Sequence, residues 1–306
     1  MRPTRLFLCP RLGIVCSLAT VLFGGCALPL YTQSEAPLFR TSGQRLTAPV
    51  SIAFEAPAKG FDRFEWDFGD GTNSDQRNPT HRYAQSGNYA IQLTAYSKQR
   101  KKIFSQRLQI FPPENCLVEI ETTLGIMVAE LNPGTPLHRD NFLKLADEGY
   151  YEDLLFHRVI NGFVIQGGDP NSRHAAPGEI LGYGGASRMI PAEIRDSLVH
   201  LRGALAAART ANPEKKSNGS QFYIVQGRPV SDIDLTQIEN ARNFRYRPEL
   251  RAAYLQHGGA PQLDQEYTVF GRIVKGLEVL DQITEIPTDA HDRPTRDIRM
   301  RIRPIY

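Results

Sequence analysis

The strongest fold signal in this chain of 306 residues lies in residues 156–170, which read Phe-His-Arg-Val-Ile-Asn-Gly-Phe-Val-Ile-Gln-Gly-Gly-Asp-Pro. Two runs rich in β-branched and aromatic residues flank the pair Asn161-Gly162. Asn-Gly favours a tight hairpin because both residues tolerate the positive φ angles of a type I′ turn. The stretch therefore predicts two antiparallel strands joined by a two-residue loop.

Arg158 is an unusual residue in the first of these strands, since Phe, Val and Ile surround it. One interpretation is an arginine at a sheet edge, whose stem packs while its charged head stays in water. The other interpretation is a functional group. In a two-residue hairpin Arg158 pairs with Ile165, which places Gln166 on the opposite face. Contact between Arg158 and Gln166 would then require a bulge, which Gly167-Gly168 permits.

Three later segments extend the signal: residues 202–210 (Arg-Gly-Ala-Leu-Ala-Ala-Ala-Arg-Thr), 218–224 (Asn-Gly-Ser-Gln-Phe-Tyr-Ile) and 263–271 (Leu-Asp-Gln-Glu-Tyr-Thr-Val-Phe-Gly). In this order and spacing, the four segments resemble the cyclophilin family of peptidyl-prolyl isomerases, from about residue 115 to residue 306. The resemblance implies an eight-stranded antiparallel β-barrel with two capping helices. It also implies isomerase activity on X-Pro bonds, without a cofactor or a metal. Periodicity alone predicts only a mostly antiparallel β fold with two or more helices.

Prolyl isomerisation explains why an arginine belongs in such a site. Rotation about an X-Pro bond breaks amide resonance, with a barrier of roughly 18–20 kcal/mol. Catalysis needs a grip on the proline ring and a donor aimed at the prolyl nitrogen, whose lone pair localises as the bond twists. That interaction exists only in the twisted state and therefore accelerates rotation. Arginine suits this task because its planar guanidinium is always charged.

The resemblance assigns roles to individual positions. Arg158 is the donor to the prolyl nitrogen, and Gln166 and Gln221 orient Arg158 and the substrate backbone. The other positions form the substrate site: Phe163, Val164, Tyr223 and Leu263 line the proline pocket, Tyr267 lies near its rim, and Ala208 and Arg209 pair with the peptide backbone. Without the family, Phe163, Val164 and Leu263 fit a hydrophobic core, and Gln221 fits an ordinary strand position.

Three of these positions depart from the commoner family residue. Arg209 stands where many cyclophilins have Asn, Val164 where Met is commoner, and Tyr223 where Phe is commoner. The single tryptophan of the chain, Trp66, lies outside the resembling region. The tryptophan at the pocket edge of cyclosporin-sensitive members is therefore absent, and we expect weak binding of cyclosporin.

Residues 1–25 have the features of an export signal. Three arginines precede a short apolar run at residues 12–23, and Gly24-Gly25 precedes Cys26. The pattern is similar to a bacterial lipoprotein signal cut before Cys26, which would then carry the lipid. The alternative is an uncleaved anchor helix, for which the apolar run is short. Residues 26–40 are predicted to be a flexible tether. We therefore expect a lipid-anchored protein of the bacterial cell envelope, on the outer membrane and facing the periplasm.

Removal of this signal makes the mature chain neutral. The whole chain has 36 basic and 33 acidic residues, and residues 1–25 hold three arginines and no acidic residue. The charge balance thus gives no argument for nucleic acid as a partner. Cys116 is the only cysteine of the mature chain besides Cys26. An intrachain disulfide and a cysteine-ligated zinc site are therefore excluded.

Residues 41–111 predict a separate β domain. Residues 50–54 and 89–96 alternate apolar and polar side chains, as half-buried strands do. Between them, residues 66–71 (Trp-Asp-Phe-Gly-Asp-Gly) resemble the polycystic-kidney-disease-type (PKD) domain, a small immunoglobulin-like β-sandwich. We expect Trp66 in its core, and Asp67 and Asp70 in turn hydrogen bonds rather than in a calcium site. Residues 112–115 are predicted to link it to the second domain, residues 116–306.

Residues 229–262 are longer than the corresponding loop of minimal cyclophilins and predict a helical insertion. Asp234 can cap one helix, Pro248 suits the first position of a second, and Gly258-Gly259 can end it. Because the insertion runs directly into Leu263, our hypothesis is that it forms one wall of the substrate groove. It would then set which residues beside proline are accepted. The alternative is a decoration that only packs on the barrel.

Two functions remain open from the sequence. The first is an exported lipoprotein isomerase that assists the folding of envelope proteins through their proline-containing segments. The second is a binding or scaffold protein whose barrel holds such segments with little turnover. The PKD-type domain is expected to be a spacer or to bind a protein or glycan.

Overall fold

The computed structural model describes Leu38 and residues 46–305, apart from residues 57–59, 99, 114–115 and 187. The predicted signal, Cys26 and most of the predicted tether therefore lie outside the described residues. Within the described part of the chain, no helix is long and apolar enough to cross a membrane.

The N-terminal described part is a β-sandwich of two antiparallel sheets. One sheet pairs β1 with β4, and the other has the order β3-β2-β5-β6. The six strands are β1 Val50–Ala53, β2 Arg63–Asp67, β3 Asn73–Ser74, β4 Thr80–Tyr83, β5 Gly87–Tyr96 and β6 Lys101–Ile110.

Trp66 lies in the core of this sandwich, as predicted. It is 1 % exposed, and its indole N–H donates to the backbone carbonyl of Gln76 at 2.9 Å. Asp67 and Asp70 each accept a backbone N–H two residues further on, at 2.8 and 3.0 Å. Such bonds are the turn chemistry that aspartate favours, and they stabilise the loop between β2 and β3.

Eight further strands close into an antiparallel barrel, in agreement with the family resemblance. Their order around the barrel is β10-β12-β11-β13-β8-β7-β14-β9. The strands are β7 Leu117–Thr122, β8 Gly125–Leu131, β9 Leu154–Ile160, β10 Val164–Gly167, β11 Ala204–Ala207, β12 Phe222–Val225, β13 Val269–Lys275 and β14 Arg299–Ile305. The α-helices of the described residues are α1 Pro136–Asp147, α2 Asp232–Arg242, α3 Pro248–His257 and α4 Leu277–Thr284.

The barrel interior shares one hydrophobic core with the inner faces of α1 and α4. Val159 of β9 and Ile165 of β10 belong to this core and are at most 1 % exposed. Burial of one such side chain contributes about 1.5–3 kcal/mol. Because successive strand residues point to opposite faces, their neighbours Arg158, Val164 and Gln166 face outward. The candidate site therefore lies on the outer face of the barrel.

Residues 229–262 form the predicted helical insertion, with one correction at its start. Ser231, not Asp234, is the N-cap of α2. The Ser231 hydroxyl accepts the Asp234 N–H at 3.2 Å, and the Asp234 carboxylate accepts the Ser231 N–H at 2.8 Å. This reciprocal pair satisfies two donors that the helix itself leaves free. Pro248 begins α3, and Gly258, with a φ of 70°, ends it, as predicted.

The sandwich contacts the barrel domain at α1 through a buried ionic cluster. Arg139 is 1 % exposed and donates to the Asp140 carboxylate at 2.6 Å and to the Ser86 hydroxyl at 2.9 Å. The Ser86 N–H donates to Asp140 at 3.0 Å, and a separate ion pair joins Arg82 to Asp147. Buried charges require such partners, so the cluster ties α1 to the sandwich. The domain boundaries at residues 111 and 115 stay predictions.

Candidate functional site

One row of directly opposed residues crosses five strands on the outer face of the barrel. Arg158 pairs with Gln166, and Gln166 with Tyr223. Tyr223 pairs in turn with Ala206, and Ala206 with Val269. Directly opposed side chains point to the same face of a sheet. The row therefore brings together three predicted site residues from three different strands.

The hairpin has a three-residue loop, which corrects the predicted register. Of the pair Asn161-Gly162, only Gly162 has a positive φ, 71°, and a backbone hydrogen bond of 3.0 Å joins residues 163 and 160. A loop with one more residue shifts every later pair by one. Arg158 consequently pairs with Gln166 instead of Ile165. The two side chains share a face without the help of a bulge.

An apolar cluster beside this row contains the predicted pocket residues. Its described members include three buried predicted positions, Val164, Ala208 and Tyr223. Phe163, Leu263 and Tyr267 pack against it and are partly buried. Six further described members were not among the predicted site residues: Leu198, Ala204, Ala206, Val225, Ala260 and Val269. Their apolar character was visible in the sequence, but it did not distinguish the outer face of the barrel from its interior.

Arg158 lies at one end of the row, with Asp292 as its ionic partner. The distance from Arg158 Nε to Asp292 Oδ2 is 3.2 Å. Asp292 is held in place because its backbone carbonyl accepts the Val159 N–H at 2.8 Å. A hydrogen bond at Nε orients the planar guanidinium. Its two terminal nitrogens can then donate to a bound substrate. Asp292 was not among the predicted site residues, because it lies 134 positions further along the chain and belongs to none of the four segments.

The two predicted glutamines bond to each other. Gln166 Nε2 donates to Gln221 Oε1 at 2.9 Å, and Gln221 Nε2 donates to the carbonyl oxygens of Gly182 and Gly184 at 2.9 and 2.5 Å. This chain of bonds holds Gln166 beside Arg158 and ties a long loop to the start of β12. In the described structure no hydrogen bond joins the side chains of Gln166 and Arg158, so orientation of Arg158 by Gln166 stays a prediction.

A buried polar network connects the pocket to the helical insertion. The Tyr223 hydroxyl is 2.9 Å from His200 Nε2, and His200 Nδ1 is 2.6 Å from Asp264 Oδ1. Asp264 Oδ2 accepts the hydroxyls of Tyr246 and Tyr254, both at 2.6 Å. All five residues are at most 7 % exposed. In this arrangement His200 Nδ1–H donates to Asp264, and His200 Nε2 accepts a hydrogen bond from the Tyr223 hydroxyl.

This network gives a physical reason for tyrosine at position 223. A buried hydroxyl is costly unless it has a hydrogen-bond partner, and His200 supplies one. Desolvation by burial raises the pKa of Tyr223 well above its ordinary value, so the hydroxyl stays protonated and donates. The aromatic ring of Tyr223 packs in the apolar cluster, and its hydroxyl is hydrogen-bonded to the buried His200.

His157 is a buried histidine beside Arg158 that the sequence analysis did not single out. It is 4 % exposed, and neither ring nitrogen has a hydrogen-bond partner in the described structure. It is the extra residue of a bulge, since Gly167 pairs with Phe156 while Gln166 pairs with Arg158. Desolvation lowers the pKa of His157 to about 4, so the ring is neutral at pH 7.

The buried His157 predicts a loss of stability in acid. Its pKa falls from 6.5 to about 4 on folding, so the unfolded chain binds more protons between these values. The free energy of unfolding should therefore fall as pH drops through this window, by about 3 kcal/mol at most. Urea unfolding at pH 7 and pH 4.5 measures this. His157→Gln should show a smaller difference between the two pH values, and an unchanged difference would contradict the assignment.

Comparisons with known proteins bear on both domains. The family described as cyclophilin type peptidyl-prolyl cis-trans isomerase/CLD matches residues 117–303, and the PKD domain matches residues 35–108. A Staphylococcus haemolyticus protein named as a peptidyl-prolyl cis-trans isomerase is 34 % identical over 207 residues, which cover 67 % of this chain and 95 % of that protein.

Two further similarities cover smaller shares of this chain, 59 % and 63 %. A Streptococcus pyogenes protein named as a bifunctional phosphatase/peptidyl-prolyl cis-trans isomerase is 41 % identical over 187 residues, and the match spans 59 % of this chain and 37 % of that protein. The crystal structure of a Cryptosporidium parvum cyclophilin type peptidyl-prolyl cis-trans isomerase is 29 % identical, with a TM-score of 0.46. The structural match covers 63 % of this chain and 98 % of the Cryptosporidium parvum chain.

Proposed function

Since the chain belongs to the cyclophilin-type peptidyl-prolyl cis-trans isomerases, we propose that it accelerates X-Pro bond rotation in exported proteins, with Arg158 as the group that stabilises the twisted amide. A PKD domain precedes the isomerase domain. The class of reaction follows from the family, whereas the substrates and the role of Arg158 are the proposal.

The observation that supports the role of Arg158 is its position in the row. Arg158 is a charged donor with Asp292 at its Nε, and the row leads from it to Tyr223 in the apolar cluster. A proline ring in this cluster would have an apolar surface on one side and a fixed cation at its edge. Those are the two features that catalysis of this rotation requires.

The proposed mechanism uses charge and shape without proton transfer. The apolar cluster binds the proline ring, and the terminal nitrogens of Arg158 donate towards the prolyl nitrogen. In the planar amide this nitrogen is a poor acceptor, because its lone pair is delocalised. As the bond twists, the lone pair localises and the hydrogen bond strengthens, so the interaction lowers the barrier. The ion pair with Asp292 holds the guanidinium before the substrate arrives.

The competing function is a scaffold that binds proline-containing segments with little turnover. An assay of cis-trans isomerisation of a short Ala-Pro peptide distinguishes the two. We expect the full-length chain to accelerate isomerisation in proportion to its concentration, and Arg158→Ala to remove most of that acceleration. Binding of the peptide without acceleration would favour the scaffold.

Location in the cell envelope rests on Cys26 and its surroundings in the sequence. We expect the wild-type protein to partition into detergent and to incorporate a labelled fatty acid, because an acylated cysteine anchors a chain in lipid. Cys26→Ser should abolish incorporation of the label, while Cys116→Ser, the control, should not. Unchanged detergent partition of Cys26→Ser would indicate an uncleaved anchor helix instead.

The described part of the insertion contacts the segment that carries Leu263. Tyr246 and Tyr254 donate to the Asp264 carboxylate, and Arg242 donates to the Asp264 backbone carbonyl. These contacts support the hypothesis that the insertion shapes one side of the groove. Removal of the whole insertion would also leave Asp264 without its tyrosine partners and so destabilise the protein. Single substitutions within the insertion therefore test its role in the groove more directly.

A further inference from the structure

Three cations from separate segments meet at the carboxylate of Glu266, near one rim of the apolar cluster. Arg209, which follows β11, donates to Glu266 Oε2 at 2.8 Å. Lys215, from the loop before β12, donates to Oε1 at 3.0 Å. Arg242, at the end of α2, lies 3.3 Å from the same oxygen. We call these four residues the Glu266 cluster.

The Glu266 cluster is attached directly to the pocket rim. The guanidinium of Arg209 lies over the ring of Tyr267, 4.8 Å from its centre, and its Nε donates to the Glu266 carbonyl at 2.9 Å. Arg242 also donates to the carbonyls of Gln262 and Asp264. The cluster therefore holds the segment that presents Leu263 and Tyr267 to the pocket.

The cluster carries more positive charge than its own carboxylate can balance. Three cations face one carboxylate, and the nearest buried acid in the segment, Asp264, already accepts bonds from His200, Tyr246 and Tyr254. Neither Asp264 nor the exposed Asp196, which accepts the side-chain amide of Gln265 at 3.1 Å, forms an ion pair with these cations in the described structure, so among the groups in ionic contact three cations face one carboxylate. Nearby Lys216 and Glu214 pair with each other, so they do not change this balance.

The titration of Glu266 agrees with an excess of positive charge. Desolvation acts to raise the pKa of this carboxyl, but the hydrogen bond from Lys215 and the charges of Lys215, Arg242 and Arg209 together outweigh it, so the pKa is lowered. Glu266 is therefore ionised at neutral pH. An anionic group that approached the rim would meet the unbalanced charge of the surrounding cations.

We propose that the Glu266 cluster makes the site selective for segments with an acidic side chain close to the proline. The inference rests on the proposed function, because it specifies the substrate class of that same pocket. An acidic residue bound beside Tyr267 would meet the partly exposed Lys215, while Arg209, whose side chain is only 10 % exposed, would act through its charge. The helical insertion contributes to this selectivity through Arg242.

The test uses the full-length chain and a set of peptides that share one Ala-Pro core. Glu or Gln is placed in turn at each of the two positions before and the two after the Ala-Pro pair, and kcat/KM is measured for every peptide. The Glu to Gln ratio isolates charge because the two side chains have nearly the same shape. We expect a ratio of about three to ten at one position at least, as a partly solvated charge interaction gives.

Charge variants identify the source of that ratio. Lys215→Gln should lower it about twofold or more, and Glu266→Gln should raise it. Arg303→Gln is the matched control, since it removes one exposed cation on β14, paired with Glu119 and Glu121, across the barrel from β11. It should leave the ratio unchanged. Higher salt should lower the wild-type ratio because exposed charges are screened.

The outcomes separate this inference from the proposed function. A protein that isomerises the neutral peptides but shows ratios near one at every position would overturn the inference and leave the function intact. A fall in the ratio as large for Arg303→Gln as for Lys215→Gln would overturn it as well. If no peptide is isomerised, dissociation constants of the same Glu and Gln peptides, measured by calorimetry, give the ratio directly.

Discussion

Replacement of Arg158 by alanine is expected to lower kcat/KM for prolyl peptides by about 10²–10³-fold, the usual cost of one donor that acts on the transition state. The side chain is partly exposed, with 41 % of its surface accessible, and it faces away from the barrel core. Its removal therefore leaves no cavity in the packed interior, and the thermal midpoint should change little. Circular dichroism melting and the peptide assay together measure both quantities.

Two comparison variants make the Arg158 result specific. Arg158→Lys keeps the positive charge but loses the planar fork, so its activity should recover only in part. Asp292→Asn removes the charged partner at Nε and should lower kcat/KM by several-fold, since Arg158 remains but is less well oriented. Arg303→Ala is the matched control for loss of an arginine elsewhere on the barrel. Near-wild-type activity of a folded Arg158→Ala protein would contradict the mechanism.

Replacement of Asp264 by alanine is expected to destabilise the protein by about 4 kcal/mol. Asp264 is 1 % exposed and accepts four hydrogen bonds, from the His200 N–H and Nδ1 and from the hydroxyls of Tyr246 and Tyr254. The substitution leaves these buried donors unsatisfied, and each such loss costs about 1–3 kcal/mol, not fully additively. The thermal midpoint should fall by roughly 8–16 °C.

Removal of a single hydrogen bond to Asp264 should destabilise the protein less than removal of the Asp264 carboxylate. Tyr246→Phe and Tyr254→Phe each remove one hydroxyl and should cost about 1 kcal/mol. Asp62→Ala, at an exposed aspartate of the sandwich, is the control and should be near neutral. Because Leu263 precedes Asp264, the Asp264→Ala variant should also have a raised KM for prolyl peptides. A loss below about 1 kcal/mol for Asp264→Ala would show that the network does not stabilise this part of the protein.

The register of the central hairpin shows a limit of local sequence signals. Asn-Gly is compatible with a two-residue loop and with a three-residue loop, and the two loops differ by one residue in register. In the structure, the Gly162 N–H donates to Gln226 Oε1 at 2.6 Å and Asn161 Nδ2 donates to the Thr284 carbonyl at 3.1 Å. Gln226 directly follows β12 and Thr284 is the last residue of α4, so contacts distant in the sequence accompany the longer loop.

The sequence by itself determined the family, the barrel, the helical insertion and the apolar positions that meet in the pocket. These features depend on short segments whose residue types and order can be recognised one at a time. Only the tertiary structure decided that Asp292 pairs with Arg158, that Asp264 joins Tyr223 to the insertion, and that three cations meet at Glu266. Such contacts arise when barrel closure brings together side chains far apart in the chain, and no local pattern specifies which charged or hydroxyl group will be the partner.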